Sequence, residues 1–199
     1  MSKRRALFID RDGVINQMVE YEDGFDSPQR VEDVKLVDGV AEVIRWANEN
    51  GLVVIEVSNQ PGVAKGKMTM EQLEAIEGRV HQLLESEGGL VDARYICHHH
   101  PNGVIAALTM ECDCRKPRPG LINRASVEMS IDVNRSIMLG DKASDVAAAA
   151  AAGCQAIIFI HEMDTPAKVV EAKKTASEYR AQSMGEVWES LKDWVLKST

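Results

Sequence analysis

The chain has 199 residues, 45% apolar and 27% charged, as expected for one globular domain. Its 31 acidic and 23 basic residues give a formal net charge of −8, which argues against nucleic acid or an anionic membrane as the main partner, because both attract basic surfaces. The sequence contains neither the ~18 apolar residues of a transmembrane helix nor a signal-peptide pattern, so we expect a cytoplasmic protein.

Strands and helices are predicted to alternate along most of the chain. Aliphatic runs of strand length indicate the strands, and apolar periodicity with capping signals indicates the helices. In chain order we predict a strand at 5–9, a helix at 40–49, a strand at 52–57, a helix at 69–87, a strand at 93–97, a helix at 120–130, a strand at 136–139, a helix at 144–152 and a last core strand at 155–160. This order predicts an α/β fold with a mostly parallel sheet and helices on both faces, in a single domain over 1–199.

Three segments depart from the alternation. Residues 16–35 are predicted to form a polar, irregular loop, and residues 97–119 a long insertion rich in metal-type side chains. Loops of this length inside a compact domain are usually functional. From Thr165 the chain is a charged, amphipathic tail, in which Ser183-x-x-Glu186 resembles the capping box of a final helix. We interpret that helix as packing without chemistry.

The first predicted strand ends in Asp10-Arg11-Asp12-Gly13. Such an ending sets two carboxylates at the rim of a sheet, where ligands of open α/β folds bind, and the glycine lets the chain turn away. A site of this kind can hold Mg²⁺ and attack a phosphate with a carboxylate oxygen. The motif alone is also compatible with an ordinary turn.

Three further segments supply what phosphoryl transfer needs besides a nucleophile. The loop from Ser58 through Asn59 and Gln60 offers a hydroxyl and backbone amides to a phosphate, and Arg115 and Lys116 offer cations. Gly140-Asp141 and Asp145 place carboxylates four residues apart at the start of a helix, suited to a hydrated Mg²⁺.

The insertion contains a predicted zinc site. Cys97-x-His99 and Cys112-x-Cys114 each place two soft ligands on the same side of an extended backbone, and a Cys₃His set favours structural, tetrahedral zinc. His98 should point away, and His100 is the less well-spaced alternative to His99. The competing interpretation is a pair of buried cysteines beside a solvated histidine cluster. Cys154 stands apart and is read as a small core residue.

Taken together, in this order, the four segments resemble the haloacid dehalogenase (HAD) superfamily of aspartate-nucleophile phosphatases, and the resemblance runs from about residue 5 to 160. It implies a three-layer, Rossmann-like fold without a large cap domain. It implies Asp10 as nucleophile and Asp12 as general acid, then base. Further implied roles are Mg²⁺ binding by Asp10, the backbone carbonyl of Asp12 and Asp141, with Asp145 nearby, and phosphoryl binding by Ser58 and Lys116.

Within that superfamily, the arrangement of the insertion resembles the branch of D-glycero-D-manno-heptose-1,7-bisphosphate phosphatases and histidinol-phosphate phosphatases. The segments 10–16, 58–66 and 112–117 look like the heptose type, which implies removal of the 7-phosphate. Arg115 would then recognise the distal part of the substrate, and Lys142 would join the phosphate contacts. Residues 18–28 are more acidic than expected around a bisphosphate.

Two alternatives stay open at this point. A histidinol-phosphate or other small phosphomonoester phosphatase would use the same chemistry, and a non-catalytic, zinc-stabilised binding module would keep the fold without it. The expected partners are a small phosphorylated sugar, Mg²⁺ and Zn²⁺, and the protein is expected to be a monomer. A nucleic-acid phosphatase is disfavoured by the acidic net charge.

Overall fold

The computed structural model of the protein describes residues 3–22, 24–161, 169–171, 174–175, 177 and 179–197. The strands are β1 (Ala6–Ile9), β2 (Val19–Tyr21), β3 (Gly24–Asp26), β4 (Val53–Asn59), β5 (Ala93–Cys97), β6 (Ile137–Gly140), β7 (Gln155–Phe159) and β8 (Tyr179–Ala181). The helices are α1 (Val40–Glu49), α2 (Met70–Ser86), α3 (Gly120–Glu128), α4 (Ala143–Ala152) and α5 (Met184–Lys197). Short 3₁₀ turns lie at Val31–Asp33, Ala106–Leu108 and Val133–Arg135.

Six strands form a parallel sheet in the order β5-β4-β1-β6-β7-β8. The two central strands β1 and β6 are buried along their whole length, as expected for a sheet covered on both faces. Side chains of β1 alternate between the faces: Leu7 and Ile9 pack towards α1, α2 and α5, whereas Ala6 and Phe8 pack towards α3 and α4. The predicted three-layer α/β architecture is confirmed.

The predicted helices and strands agree with the structure to within one or two residues at most ends. The start of α2 shows why: Thr69 caps the helix by accepting from the Gln72 amide (3.2 Å), and the Gln72 side chain accepts from the Thr69 amide (2.8 Å). This reciprocal capping box is the one that the sequence predicts. The final helix also forms, with Val187, Leu191 and Trp194 buried against the sheet.

Two predictions about the less regular segments are wrong. The strand at 155–160 is not the last one, because the short strand β8 pairs with β7 in parallel at the edge of the sheet. Residues 16–35 are not simply irregular: β2 and β3 form an antiparallel hairpin, with Val19 opposite Asp26. Part of the predicted tail from Thr165 lies outside the described residues. Within the described chain, none of the helices is both long and apolar enough to cross a bilayer.

Candidate active site

The polar side chains picked out by the sequence meet at the carboxyl edge of the parallel sheet. Asp10 directly follows β1, Ser58 and Asn59 end β4, and Asp141 directly follows β6. The Asp10 amide donates to the Leu139 carbonyl of the neighbouring strand (2.9 Å), which continues the sheet pairing into the site. Because β1 and β6 are adjacent, the two aspartates that follow them are brought side by side.

Lys116 joins two buried carboxylates. Its ammonium lies 2.9 Å from Asp10 Oδ1 and 2.7 Å from Asp145 Oδ1, and it donates to the Val57 carbonyl at 2.7 Å. Burial alone would raise the pKa of Asp10, but the nearby Lys116 and Lys142 ammonium groups outweigh it and lower that pKa below its usual value. The carboxylate of Asp10 is therefore ionised and held in one orientation.

The carboxylate of Asp12 is held by three side chains. Arg11 donates to both of its carboxylate oxygens (3.1 and 3.2 Å), and Gln60 Nε2 and Ser27 Oγ donate to Oδ2 at 2.6 and 2.8 Å. Burial would raise the pKa of Asp12, but Arg11 and the hydrogen bond from Gln60 lower it overall. The hairpin that contains β2 and β3 thus reaches the site through Ser27.

Lys142 contacts one oxygen of each predicted magnesium ligand. Its ammonium lies 3.2 Å from Asp141 Oδ1, 3.3 Å from the Asp12 carbonyl and 3.8 Å from Asp10 Oδ2. Two carboxylate oxygens and one carbonyl oxygen, all hard ligands, thus surround the single positive charge of Lys142. The Lys142 side chain is 44% exposed, so it has room to move aside. In addition, Asp10, Asp141 and Asp145 each place a carboxylate oxygen within 4.8 Å of one another.

The backbone must pass unusually close to these carboxylates. Gly13 has φ +86°, and a Cβ built there would lie 2.5 Å from Asp141 Oδ2; a Cβ at Gly140 would lie 2.3 Å from Cβ of Asp145. Any side chain at either position would displace a carboxylate of the site. This gives the glycines of Asp-x-Asp-Gly and Gly-Asp a steric reason.

Side-chain hydrogen bonds tie the end of β4 and the loop after it to the rest of the site. Gln60 Nε2 donates to Asp12 and to Ser58 Oγ (2.9 Å), and Gln60 Oε1 accepts from Arg11 at 2.7 Å. Asn59 Nδ2 donates to the Lys116 carbonyl and Asn59 Oδ1 accepts from the Lys116 amide, both at 3.0 Å. In the structure these two side chains hold Lys116 and Asp12 in place. Contacts of Asn59 and Gln60 with a substrate stay predictions.

The insertion brings together the four soft ligands that the sequence predicts. Sγ of Cys114 lies 3.3 Å from Sγ of Cys97, 3.1 Å from Sγ of Cys112 and 3.3 Å from Nδ1 of His99. The four ligand atoms all lie within 4.8 Å of one another, and all the cysteines are free thiols. Burial and the two neighbouring thiols raise the pKa of Cys114, so a bound cation is what would favour the thiolate form.

The neighbouring histidines do not enter this cluster. His98 is half-buried near Gln60, and burial lowers its pKa. His100 Nδ1 accepts from the Asn102 amide at 3.1 Å. The cluster is also tied to the active site, because Arg115 Nη1 donates to the His99 carbonyl (3.3 Å) and Lys116 is the next residue along the chain.

Sequence reasoning missed the buried charges behind Asp12. Arg11 is fully buried and also lies 3.6 Å from Glu77 Oε1, on the buried face of α2. One signal was available: Glu77 falls at a helical spacing within the apolar stripe of Leu73, Ile76, Val80 and Leu84. A carboxylate in such a stripe is costly unless it is paired, and therefore indicates a cation in the core.

Comparisons with known proteins agree with this geometry. A family profile described as HAD-hydrolase-like matches residues 113–187. The D-glycero-beta-D-manno-heptose-1,7-bisphosphate 7-phosphatase of Yersinia pestis is 32% identical over 187 residues, 94% of this chain and 95% of its own. The D-glycero-D-manno-heptose-1,7-bisphosphate 7-phosphatase of Thermosynechococcus vestitus is 37% identical over 159 residues, 78% of each chain.

A solved structure matches over almost the whole fold. It is the D,D-heptose 1,7-bisphosphate phosphatase from B. bronchiseptica in complex with magnesium and phosphate, with a TM-score of 0.78 and 26% identity, covering 95% of this chain and 98% of the other. Fold and site together define a phosphoric monoester hydrolase of the HAD type. The chain belongs to the HAD-like hydrolase family, in the group that contains these phosphatases.

Proposed function

We propose that the protein removes the 7-phosphate of D-glycero-D-manno-heptose 1,7-bisphosphate, with Mg²⁺ as cofactor and Asp10 as the nucleophile. The observation that carries the proposal is the ionised, buried carboxylate of Asp10, fixed by Lys116 beside the carboxylate of Asp141. Relatives named for this reaction at 32% and 37% identity support the choice of substrate.

In the first step, an Asp10 oxygen attacks phosphorus and the sugar oxygen leaves. This forms an aspartyl-phosphate, with the P–O bond to the sugar broken and the leaving oxygen protonated by Asp12. Lys116 neutralises charge on the phosphoryl group as it moves onto Asp10, and Ser58 offers its hydroxyl to a phosphoryl oxygen. In the second step, water attacks phosphorus and Asp12 takes the proton of that water. The P–O bond to Asp10 breaks, inorganic phosphate leaves, and the Asp10 carboxylate is regenerated.

The lowered pKa of Asp12 fits the substrate-free enzyme. This pKa must rise in the substrate complex if Asp12 is to act as the general acid. Without substrate, Arg11 and Gln60 keep Asp12 ionised. An anionic phosphate bound beside it would raise its pKa, because a second negative charge disfavours the ionised form. Asp12 would therefore take up a proton as substrate binds and deliver it to the leaving oxygen.

The magnesium site is supported by the convergence of oxygens around Lys142. Asp10, the Asp12 carbonyl and Asp141 would hold the ion, and Asp145 would lie nearby. Carboxylate and carbonyl oxygens are the ligands that Mg²⁺ prefers. When bound, the ion would neutralise phosphate charge and orient the phosphoryl group for in-line attack.

The Cys₃His cluster is proposed to hold zinc in a structural role. Three thiols and one imidazole nitrogen form a closed set, and sulfur–sulfur separations of 3.1 to 3.6 Å are close to the ~3.8 Å edge of a tetrahedron with Zn–S bonds of about 2.3 Å. Zinc there would fix the insertion that carries Arg115 and Lys116. It would thereby set the position of the buried ammonium in the active site.

The second phosphate of the substrate would meet basic side chains at the mouth of the site. Arg115 and Arg118 lie on the insertion, and Lys65 and Lys67 lie on the loop after β4, where they line a pocket with Ser27 and Gln60. Those last two also hold Asp12, so the pocket opens beside the proposed general acid. We also propose a single domain that acts as a monomer; its predicted cytoplasmic location stays a prediction.

A panel of phosphate esters tests the proposal. Initial rates of phosphate release should show the highest kcat/KM for heptose 1,7-bisphosphate, complete dependence on Mg²⁺, and no release by Asp10→Asn. Faster turnover of histidinol phosphate would reassign the substrate. Absence of release from every ester with Mg²⁺ present would favour the non-catalytic binding module.

A further inference from the structure

We propose that Glu77, on the buried face of α2, is a positioning residue for the phosphatase reaction, acting through Arg11 to fix the carboxylate of Asp12. The proposal rests on the function proposed above, in which Asp12 protonates the leaving oxygen. It assigns a role to a side chain far along the chain from the catalytic motifs.

Arg11 is fully buried, and its guanidinium contacts other side chains in three directions. Its Nε and Nη2 donate to the two Asp12 oxygens, Nη2 also donates to Gln60 Oε1, and Nη1 lies 3.6 Å from Glu77 Oε1. The contact with Glu77 is an ion pair without a hydrogen bond. Because the guanidinium is planar and rigid, attraction of its far end to Glu77 restricts the plane in which its other nitrogens meet Asp12. Gln60 transmits the same restraint to Ser58.

Glu77 is not required to neutralise Arg11. Arg11 already forms a two-point pair with Asp12, which balances its charge. A second carboxylate, 7% exposed on an apolar helix face, adds a desolvation cost that pairing with Asp12 alone would avoid. Glu77 Oε2 in turn faces Arg94 Nη1 at 3.8 Å, so charges alternate from the surface of β5 through Glu77 and Arg11 to Asp12.

A second buried carboxylate near Arg11 makes the position of Arg11 depend on Glu77. Glu56 is fully buried within electrostatic reach of both Arg11 and Glu77, and it is paired with His81 Nε2 at 3.0 Å. Without Glu77, Glu56 would be the remaining carboxylate, besides Asp12, that attracts Arg11. Arg11 would be drawn towards it, and the angle between Arg11 and Asp12 would change.

The test compares two phosphate esters that differ in whether the leaving group must be protonated. A sugar alkoxide leaves only when protonated, whereas p-nitrophenolate leaves without a proton. Glu77→Gln should lower kcat/KM for heptose 1,7-bisphosphate by about 10- to 100-fold, the range expected for displacing a general acid. For p-nitrophenyl phosphate the loss should stay within about 3-fold. Glu85→Gln, the same change on the exposed side of α2, should leave both values within about 2-fold.

The outcomes separate this proposal from a purely structural role. Equal losses on both esters, or no loss on the sugar substrate, would overturn it, whatever happens to the melting temperature. If Glu77→Gln does not fold, Glu77→Asp keeps the charge but withdraws it from Arg11, and the same ratio of losses is expected. A wild-type protein that hydrolyses neither ester would instead refute the proposed function.

Discussion

Replacing Lys116 by methionine removes a buried charge while keeping the length of the side chain. In the wild type this ammonium lies within 3 Å of both Asp10 (2.9 Å) and Asp145 (2.7 Å), and all three side chains are buried. The variant would leave two carboxylates facing one another without the cation between them. Breaking a buried pair in this way costs about 3–5 kcal/mol of the free energy of unfolding.

The loss in the free energy of unfolding caused by Lys116→Met should depend on pH. Lys116 and Lys142 hold the pKa of Asp10 below its ordinary 3.8, so this carboxylate stabilises the fold above that pH and loses its contribution as the pH falls through its folded-state pKa. In the variant the pKa of Asp10 rises above 3.8, and that of Asp145, which burial already raises to about 6, rises further. Ionisation then destabilises the fold by up to about 1.4 kcal/mol per pH unit. The loss at pH 7 should therefore exceed that at pH 5 by up to about 2.7 kcal/mol.

Urea denaturation in magnesium-free buffer at the two pH values measures this difference. Lys65→Met, the same substitution at an exposed position of the neighbouring loop, is the matched control and should change stability by less than about 0.5 kcal/mol at either pH. An equal loss for Lys116→Met at pH 5 and pH 7 would show that packing, and not charge, accounts for the effect. The electrostatic argument would then be refuted.

Three further predictions concern the nucleophile and the two metal sites. Asp10→Asn should abolish phosphate release while keeping the circular dichroism spectrum of the wild type; retained turnover would exclude Asp10 as nucleophile. Elemental analysis should find about one zinc per chain, lost in Cys114→Ser but kept in Cys154→Ala, whose thiol is not part of the Cys₃His cluster; equal zinc in both variants would remove the Cys₃His assignment. Lys142→Gln should tighten Mg²⁺ binding about 10-fold by calorimetry without substrate, because a competing cation is gone; weaker binding would mean that the converging oxygens are not the ligands.

The sequence was sufficient for the parts of the fold that repeat a strong local pattern. A short aliphatic run such as Ala6–Ile9 favours an interior strand, and a capping box defines the start of α2 at Thr69. Since parallel strands end at the same edge, the order of the motifs also predicted which side chains meet. The sequence also predicted which histidine lies beside the three cysteines, because residues two apart in an extended chain share a side.

The missed features depend on contacts that no local pattern records. Strand β8 has three residues, with Ala181 the fully buried one, and it forms because β7 offers it an edge. The short hairpin of β2 and β3 shows little alternation, and its link to the site through Ser27 is a long-range hydrogen bond. No local pattern indicates that Arg11 is buried, and its contact with Glu77 joins residues that are 66 positions apart.

The central claim is that the carboxylate of Asp10 becomes phosphorylated during turnover. Wild-type enzyme mixed with heptose 1,7-bisphosphate and Mg²⁺, quenched within one turnover and treated with borohydride, should contain homoserine at position 10, because borohydride reduces an acyl phosphate to the alcohol. Peptide mass spectrometry should locate this change at Asp10, with Asp12, Asp141 and Asp145 unmodified. Reduction at one of those residues instead, or unmodified Asp10 in enzyme that is actively releasing phosphate, would contradict the mechanism.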